Sequence, residues 1–190
     1  MNATAVFRIV REEFPFLLLS AAGGLVAGVV LKEFLVFALA LPGVLVMLPA
    51  LMNIRGAVES ALAARLGTAY HLGLVRPRWG FNSEVRENYI GSLILALIVA
   101  IASACFAYYV SFAFGLSTLS LPALLGIALL TSVVGALVNS TLTVLFLFWA
   151  IRQKMDPDNV VIPVITLLGD FVIIVLAYLS ALIFVNLGIR

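Results

Sequence analysis

The chain has 190 residues, of which 64% are hydrophobic and 11% are charged, and its formal net charge is +2. Ordinary soluble domains are roughly 45–50% apolar and about 25% charged, so the composition excludes a soluble globular protein. The single cysteine excludes an internal disulfide bond, and we expect no nucleic-acid partner from so small a net charge.

Uncharged apolar runs predict five membrane-spanning helices, since about 20 residues cross a bilayer as a helix. Phe14–Leu31 contains 18 residues and Phe34–Ile54 contains 21. Asn88–Ile151 contains 64 residues and must hold two spans. The last run, Asn159–Ile189, is interrupted only by Asp170. These runs predict an all-α integral membrane protein.

The first run is interpreted as a span and not as a signal peptide. It is long for the apolar region of a signal peptide, and Lys32-Glu33 follows it in place of a small-residue cleavage site. Little sequence remains outside the spans. We therefore expect residues 1–190 to form one five-helix domain, with no soluble regulatory domain.

The distribution of Lys and Arg predicts the orientation, because short cytoplasmic loops retain positive charge. Five spans with a cytoplasmic N-terminus and an external C-terminus leave only Lys32 and Arg190 outside. The charges that then flank the spans in the cytoplasm are Arg8, Arg11, Arg65, Arg76, Arg78, Arg86, Arg152 and Lys154. We expect a multi-pass protein of the plasma membrane in this orientation.

The segment after the second span begins as a helical extension and turns irregular near Arg76–Asn82. Small residues recur along the extension at helical spacing and form a stripe where another helix packs closely. They are Gly56, Ser60, Ala63 or Ala64, and Gly67. Arg55 and Glu59 lie four residues apart; a local salt bridge at the membrane surface and a functional role are both open, and Glu59 is a candidate acid near a metal.

The fifth span begins with Asp156-Pro157, a helix cap followed by proline at the first helical position. If the span enters hydrocarbon near Val160, Asp170 lies ~15 Å deeper, about half of a ~30 Å core. A carboxylate there costs at least ~2.5–3.5 kcal/mol and indicates a function. We expect Asp170→Asn to leave folding intact and to remove cation transport.

Polar residues share the Asp170 face of this span. Asn159, Pro163, Thr166 and Asp170 follow one another at intervals of four, three and four residues. Pro163 donates no hydrogen bond to the carbonyl of Asn159, and Gly169 permits close approach beside the acid. The third, fourth and fifth spans contain no Lys or Arg. An exchangeable divalent cation is therefore the expected counter-charge of Asp170.

A second interpretation makes Asp170 a packing residue, protonated or bonded to a polar side chain of the fourth span. Such polar residues most often hold helices together, and we prefer that interpretation for the fourth span. Its polar face consists of Gly135, Asn139 and Thr143, with Ser140 and Thr141 beside it. His71 is isolated and is expected at the surface or the membrane interface.

Two motifs carry a family resemblance. The first consists of Pro49-Ala50-Leu51, Gly56, Glu59, Leu62-Ala63, Arg65-Leu66, Thr68-Ala69 and Gly73. The second consists of Asp156-Pro157-Asp158-Asn159, Pro163 and Leu168-Gly169-Asp170. With Phe14-Pro15-Phe16 near the start, the chain resembles, over about residues 14–187, the membrane domain of MgtE-type magnesium transporters and of solute-carrier family forty-one.

The resemblance implies a pore between two five-helix units, lined by the second and fifth helices of each. It assigns Asp170 to a central site for hydrated Mg²⁺ and Asp156 to the cytoplasmic entrance. The chain holds one unit, so a homodimer is implied. Gly56-Ala57 stands where the family has a Gly-Asn pair, and His71 replaces a usual Asn.

The sequence thus predicts a divalent-cation channel or transporter, with Mg²⁺ as the transported ion and no cofactor. Its partners are the cation, the lipid bilayer and a second copy of the chain. The candidate metal residues are Asp170, Asp156, Asn159, Thr166 and Glu59. The alternative is a non-transporting membrane subunit of a larger complex, in which Asp170 packs helices. An enzyme ranks third, because no nucleophile–base pair or His/Cys/Asp cluster is present.

Overall fold

The structure is a computed structural model that describes residues 3–38, 41–76 and 82–188. In these ranges the chain forms five helices and no strand, and all five are long and apolar enough to cross a membrane. They are α1 (Ala3–Ala38), α2 (Pro42–His71), α3 (Ser83–Ala113), α4 (Leu121–Arg152) and α5 (Pro157–Asn186). The predicted all-α membrane protein with five spans is confirmed.

The first span, Glu13–Lys32, agrees with the predicted Phe14–Leu31, but the predicted start of the second span at Phe34 is wrong. The charged pair Lys32-Glu33 lies inside α1, which continues to Ala38, and α2 begins only at Pro42. Long charged side chains reach water from the end of a membrane helix, so they need not end it. Proline does begin one, because its ring fixes a helical φ and its missing N–H is not needed in the first turn.

The predicted helical extension of the second span and the predicted start of the fifth helix are confirmed, whereas the third helix begins at Ser83, before the apolar run that starts at Asn88. α2 extends as one helix to His71, and α5 begins at Pro157. α3 begins after Asn82, whose side-chain Oδ1 accepts a hydrogen bond of 2.9 Å from the backbone N–H of Val85. The segment predicted to be irregular falls largely on residues 77–81, outside the described ranges.

The packing places α4 against α2, α3 and α5, while α2 also contacts α3 and α5. α1 packs mainly on α5 and leaves much of its apolar surface exposed, with Leu25 76% and Val29 65% exposed. Such a surface suits contact with lipid, because hydrocarbon chains are as apolar as these side chains. The bundle proper is therefore formed by α2 to α5.

Two buried apolar clusters fill this bundle. The first apolar cluster includes Val44, Leu48 and Leu51 of α2, Leu124 and Ile127 of α4, and Ile173 of α5. The second apolar cluster includes Leu62 and Leu66 of α2, Leu147 of α4, and Val161 and Ile165 of α5. On each of these helices the two clusters are separated by several residues, and polar side chains occupy the interval.

The polar layer between the two clusters consists of Arg55, Glu59, Asn139, Ser140, Thr143 and Asp170. It lies about halfway along α2 and α5, where a carboxylate or guanidinium is most costly in a bilayer. The fold thus places every charge of the layer within reach of an opposite charge or a hydroxyl group.

Candidate functional site

The centre of the site is an ion pair between α2 and α5. Arg55 Nη2 donates a hydrogen bond of 2.9 Å to Asp170 Oδ1. The Arg55 side chain is 6% exposed and the Asp170 side chain is 30% exposed. The protein thus supplies a cation of its own beside Asp170, from the second span, where the sequence analysis had not sought a partner for the acid.

Arg55 also contacts the backbone of α5. Its Nη1 donates to the carbonyl oxygen of Ile165 at 3.4 Å, and its Nη2 donates to that of Thr166 at 3.3 Å. A Cβ atom at position 169 would overlap the guanidinium group, so only glycine leaves room for it. The predicted close approach at Gly169 is confirmed, and the group that approaches is Arg55.

Asp170 faces a groove between α2 and α5 with a volume of ≈ 580 Å³. Thr166 lines the groove one turn before the acid, and Gly56, Ala57 and Ser60 line the opposite wall. A Cβ atom at Gly56 would meet no atom within 4 Å, so the small residues keep the groove wide. Gly56 and Ser60, the first residues of the predicted small-residue stripe, therefore border open space in the single chain.

The rest of the small-residue stripe is buried, and only part of the expected polar face of α5 lines the groove. Ala63 and Gly67 are buried, as expected for close helix packing. Pro163, on the same face of α5 as Thr166, is buried as well. The side chain of Asn159 lies outside the described residues. Of the predicted polar face, the structure thus brings Thr166 and Asp170 to the groove.

Glu59 lies apart from the groove and binds α4. Its Oε1 accepts a hydrogen bond of 2.9 Å from Ser140 Oγ, and its Oε2 accepts one of 2.9 Å from Thr143 Oγ1. All three side chains are at most 2% exposed. Arg55 is paired with Asp170 and Glu59 with hydroxyl groups, so the local Arg55–Glu59 salt bridge considered from the sequence is replaced by two contacts between helices.

The hydroxyl groups of α4 thus hold helices together, as the sequence analysis preferred. Thr143 Oγ1 also lies 2.9 Å from the carbonyl oxygen of Asn139. The Asn139 side chain is fully buried, and its carboxamide makes no hydrogen bond with the described residues. A hydrogen bond between Asp170 and a polar side chain of the fourth span, the alternative considered from the sequence, is not found among the described residues.

The remaining candidates lie at the ends of helices. Asp156 is exposed immediately before α5, and its 14-residue separation from Asp170 corresponds to ~21 Å along an ideal helix. His71 is exposed at the end of α2, as expected, with its ring 5.5 Å from that of Tyr70. The described residues contain no group of three His, Cys, Asp or Glu side chains that would hold a metal.

The Glu59 contacts generate a stability prediction. We expect Glu59→Gln to unfold at nearly the wild-type temperature, because a carboxamide keeps an acceptor for Ser140 and a polar group for Thr143. Glu59→Ala should lower the free energy of unfolding by about 1–3 kcal/mol, since it removes the acceptor and leaves a void. Thermal unfolding in mild detergent measures both, and an alanine variant as stable as wild type would contradict the assignment.

The ion pair changes the expectation for Asp170→Asn, which the sequence suggested would leave folding intact. The substitution leaves the Arg55 charge buried without an anion, and we expect a loss of up to about 3 kcal/mol of stability. Arg55→Gln/Asp170→Asn should recover most of it, because both charges are absent and polar groups remain. If Asp170→Asn and Arg55→Gln/Asp170→Asn have the same free energy of unfolding, the two charges are not energetically coupled.

The chain was compared with known protein families, curated proteins and solved structures. A family model described as MgtE, divalent cation transporter, matches residues 48–181, which is more than two thirds of the chain. The match contains Arg55, Glu59 and Asp170. The curated proteins and the solved structures gave no significant match. The resemblance inferred from the two motifs is thus confirmed, and the chain belongs to the MgtE family of divalent cation transporters.

Proposed function

We propose that this chain carries Mg²⁺ across the plasma membrane along the groove between α2 and α5, with Asp170 as the central ion site. Membership of the MgtE family supports divalent cation transport in general. The observation that carries the assignment to this groove is the placement of Asp170, a carboxylate halfway along α5. Its side chain is 30% exposed and lines the groove.

The chemistry of the groove suits a hard cation. Its polar lining consists of Arg55, whose charge is paired with Asp170, and of Asn53, Ser60, Thr166 and Asp170, which offer oxygen ligands. Mg²⁺ sheds water reluctantly, and a water molecule occupies about 30 Å³, so a groove of ≈ 580 Å³ accommodates the ion with its hydration shell. Thr166 and Asp170 are proposed to bind that shell.

A second copy of the chain would complete the path. Asn53 and Ala57 are exposed on the groove side of α2, and a bilayer offers no hydrogen bonds to the polar side chains of this mostly apolar groove. If two copies face each other through α2 and α5, each groove covers the other, and two Asp170 carboxylates face one central path. We therefore propose a two-fold symmetric homodimer.

The entrance is proposed to lie at the Asp156 end of α5, on the cytoplasmic side. Asp156 is too far from Asp170 to share an ion with it in one chain, but its charge raises the local cation concentration. Asn159 occupies the next turn on the Thr166 face of α5 by helical register. Glu59, whose oxygens are both bound to hydroxyl groups, is not assigned to the path.

The ion pair favours a second candidate function. If Asp170 only neutralises Arg55, the pair joins α2 to α5 and the chain is a non-transporting membrane subunit of a larger complex. In that case the pair contributes to stability alone. Flux through a variant that folds without either charge separates the two functions.

The first transport prediction concerns this double variant. Reconstituted in liposomes with a Mg²⁺-sensitive dye inside, Arg55→Gln/Asp170→Asn should be folded and should lose most of the Mg²⁺ flux, because the carboxylate that attracts the ion is gone. A matched control is Arg86→Gln/Glu87→Gln, which also removes one positive and one negative charge, at exposed positions early in α3. Wild-type flux in the first variant would favour the subunit function.

The second prediction tests the dimer by crosslinking. With Cys105 replaced by alanine, single cysteines at Asn53 and Ala57 should form disulfide-linked dimers in the membrane, since both positions face the groove. The matched control is Ile98→Cys, which is 59% exposed on α3 and does not line the groove. If only the control crosslinks, the dimer contact lies elsewhere; if none does and the protein is monomeric in mild detergent, the homodimer is wrong.

A further inference from the structure

We propose that Arg55 is a tethered counter-cation that makes the Asp170 site selective for divalent over monovalent cations. Any ion that binds Asp170 must take the place of a guanidinium group that is already there. This inference rests on the proposed function of Asp170 as the ion site, and it assigns the selectivity of that site to a residue on the opposite helix.

Several contacts of Arg55 hold its guanidinium group beside the Asp170 carboxylate. The guanidinium is held by the Asp170 carboxylate and by two backbone carbonyls of α5, over Gly169. It is always protonated, so it cannot leave by losing its charge. An approaching cation therefore meets a pair of zero net charge instead of a free carboxylate.

The competition depends on valence. A monovalent ion brings the same charge as Arg55, yet it must displace a group on the same molecule, whose effective concentration is far higher than that of a free ion. A divalent ion at the same distance from Asp170 has twice the Coulomb attraction. The tethered arginine consequently excludes Na⁺ and K⁺ while Mg²⁺ still competes.

A second carboxyl group, that of Glu59, lies near the Arg55 guanidinium. Glu59 lies one turn further along the same helix, and Arg55 and Glu59 line a small cavity of ≈ 20 Å³ between α2, α3 and α4. The Arg55 Nε atom is buried and makes no hydrogen bond with the described residues. A guanidinium released from Asp170 thus has a second carboxyl group one turn away on its own helix.

The test compares Mg²⁺ and Na⁺ fluxes of the full chain in liposomes. Arg55→Gln removes the charge and keeps hydrogen-bond donors, and it should lower the ratio of Mg²⁺ to Na⁺ flux by about tenfold or more. Arg55→Lys is the matched control: it keeps the charge and should hold the ratio near that of wild type. An Arg55→Gln protein that transports with the wild-type ratio would overturn the inference.

A second variant keeps the test decisive if Arg55→Gln does not fold. Gly169→Ala preserves both charges, but its Cβ occupies the space of the guanidinium and should force Arg55 away from Asp170. The flux ratio should fall in the same direction, and a folded Gly169→Ala protein with the wild-type ratio counts against the inference. Failure of the proposed function looks different, because Mg²⁺ flux then survives in Arg55→Gln/Asp170→Asn.

Discussion

A charge at the middle of a membrane needs an opposite charge or water beside it, and the arrangement of this bundle follows from that constraint. Asp170 on α5 and Arg55 on α2 meet at 2.9 Å, so the two least favourable side chains of the interior neutralise each other. Apolar clusters lie on either side of them along the helices. The pair therefore fixes the register of α2 against α5.

The same constraint explains the small residues and hydroxyl groups nearby. Gly169 is required because a guanidinium lies against the α5 backbone there. Ser140 and Thr143 are required on α4 because Glu59 is buried beside them with its arginine neighbour engaged elsewhere. The groove side of Asp170 is open in the single chain, and this is the side on which an ion and a second copy are proposed to bind.

The sequence predicted the features that depend on one helix at a time. Four apolar runs, one of them long enough for two spans, predicted the five helices; Pro157 predicted the start of α5, and helical spacing placed Thr166 and Asp170 on one face. Gly169 was correctly expected to allow close approach. Orientation, assembly and the roles of Asp156 and Asn159 stay predictions, since the described residues do not test them.

The failures concern what separate helices do to one another. Arg55 and Asp170 are 115 positions apart, and periodicity relates only neighbours on the same helix, so the contact between them was not predicted and Arg55 was considered only beside Glu59. A search for a cationic partner across all spans, the second included, would have suggested Arg55. The α1–α2 boundary was misplaced because Lys32-Glu33 was given more weight than Pro42.

The most direct measurement is a pair of structures of the full chain in lipid nanodiscs, one determined in a chelator and one in excess Mg²⁺. We expect Arg55 to contact Asp170 in the chelator, and in Mg²⁺ we expect an ion in the groove beside Asp170 with the guanidinium moved away. An unchanged Arg55–Asp170 contact in a protein that holds its transported ion elsewhere would contradict it.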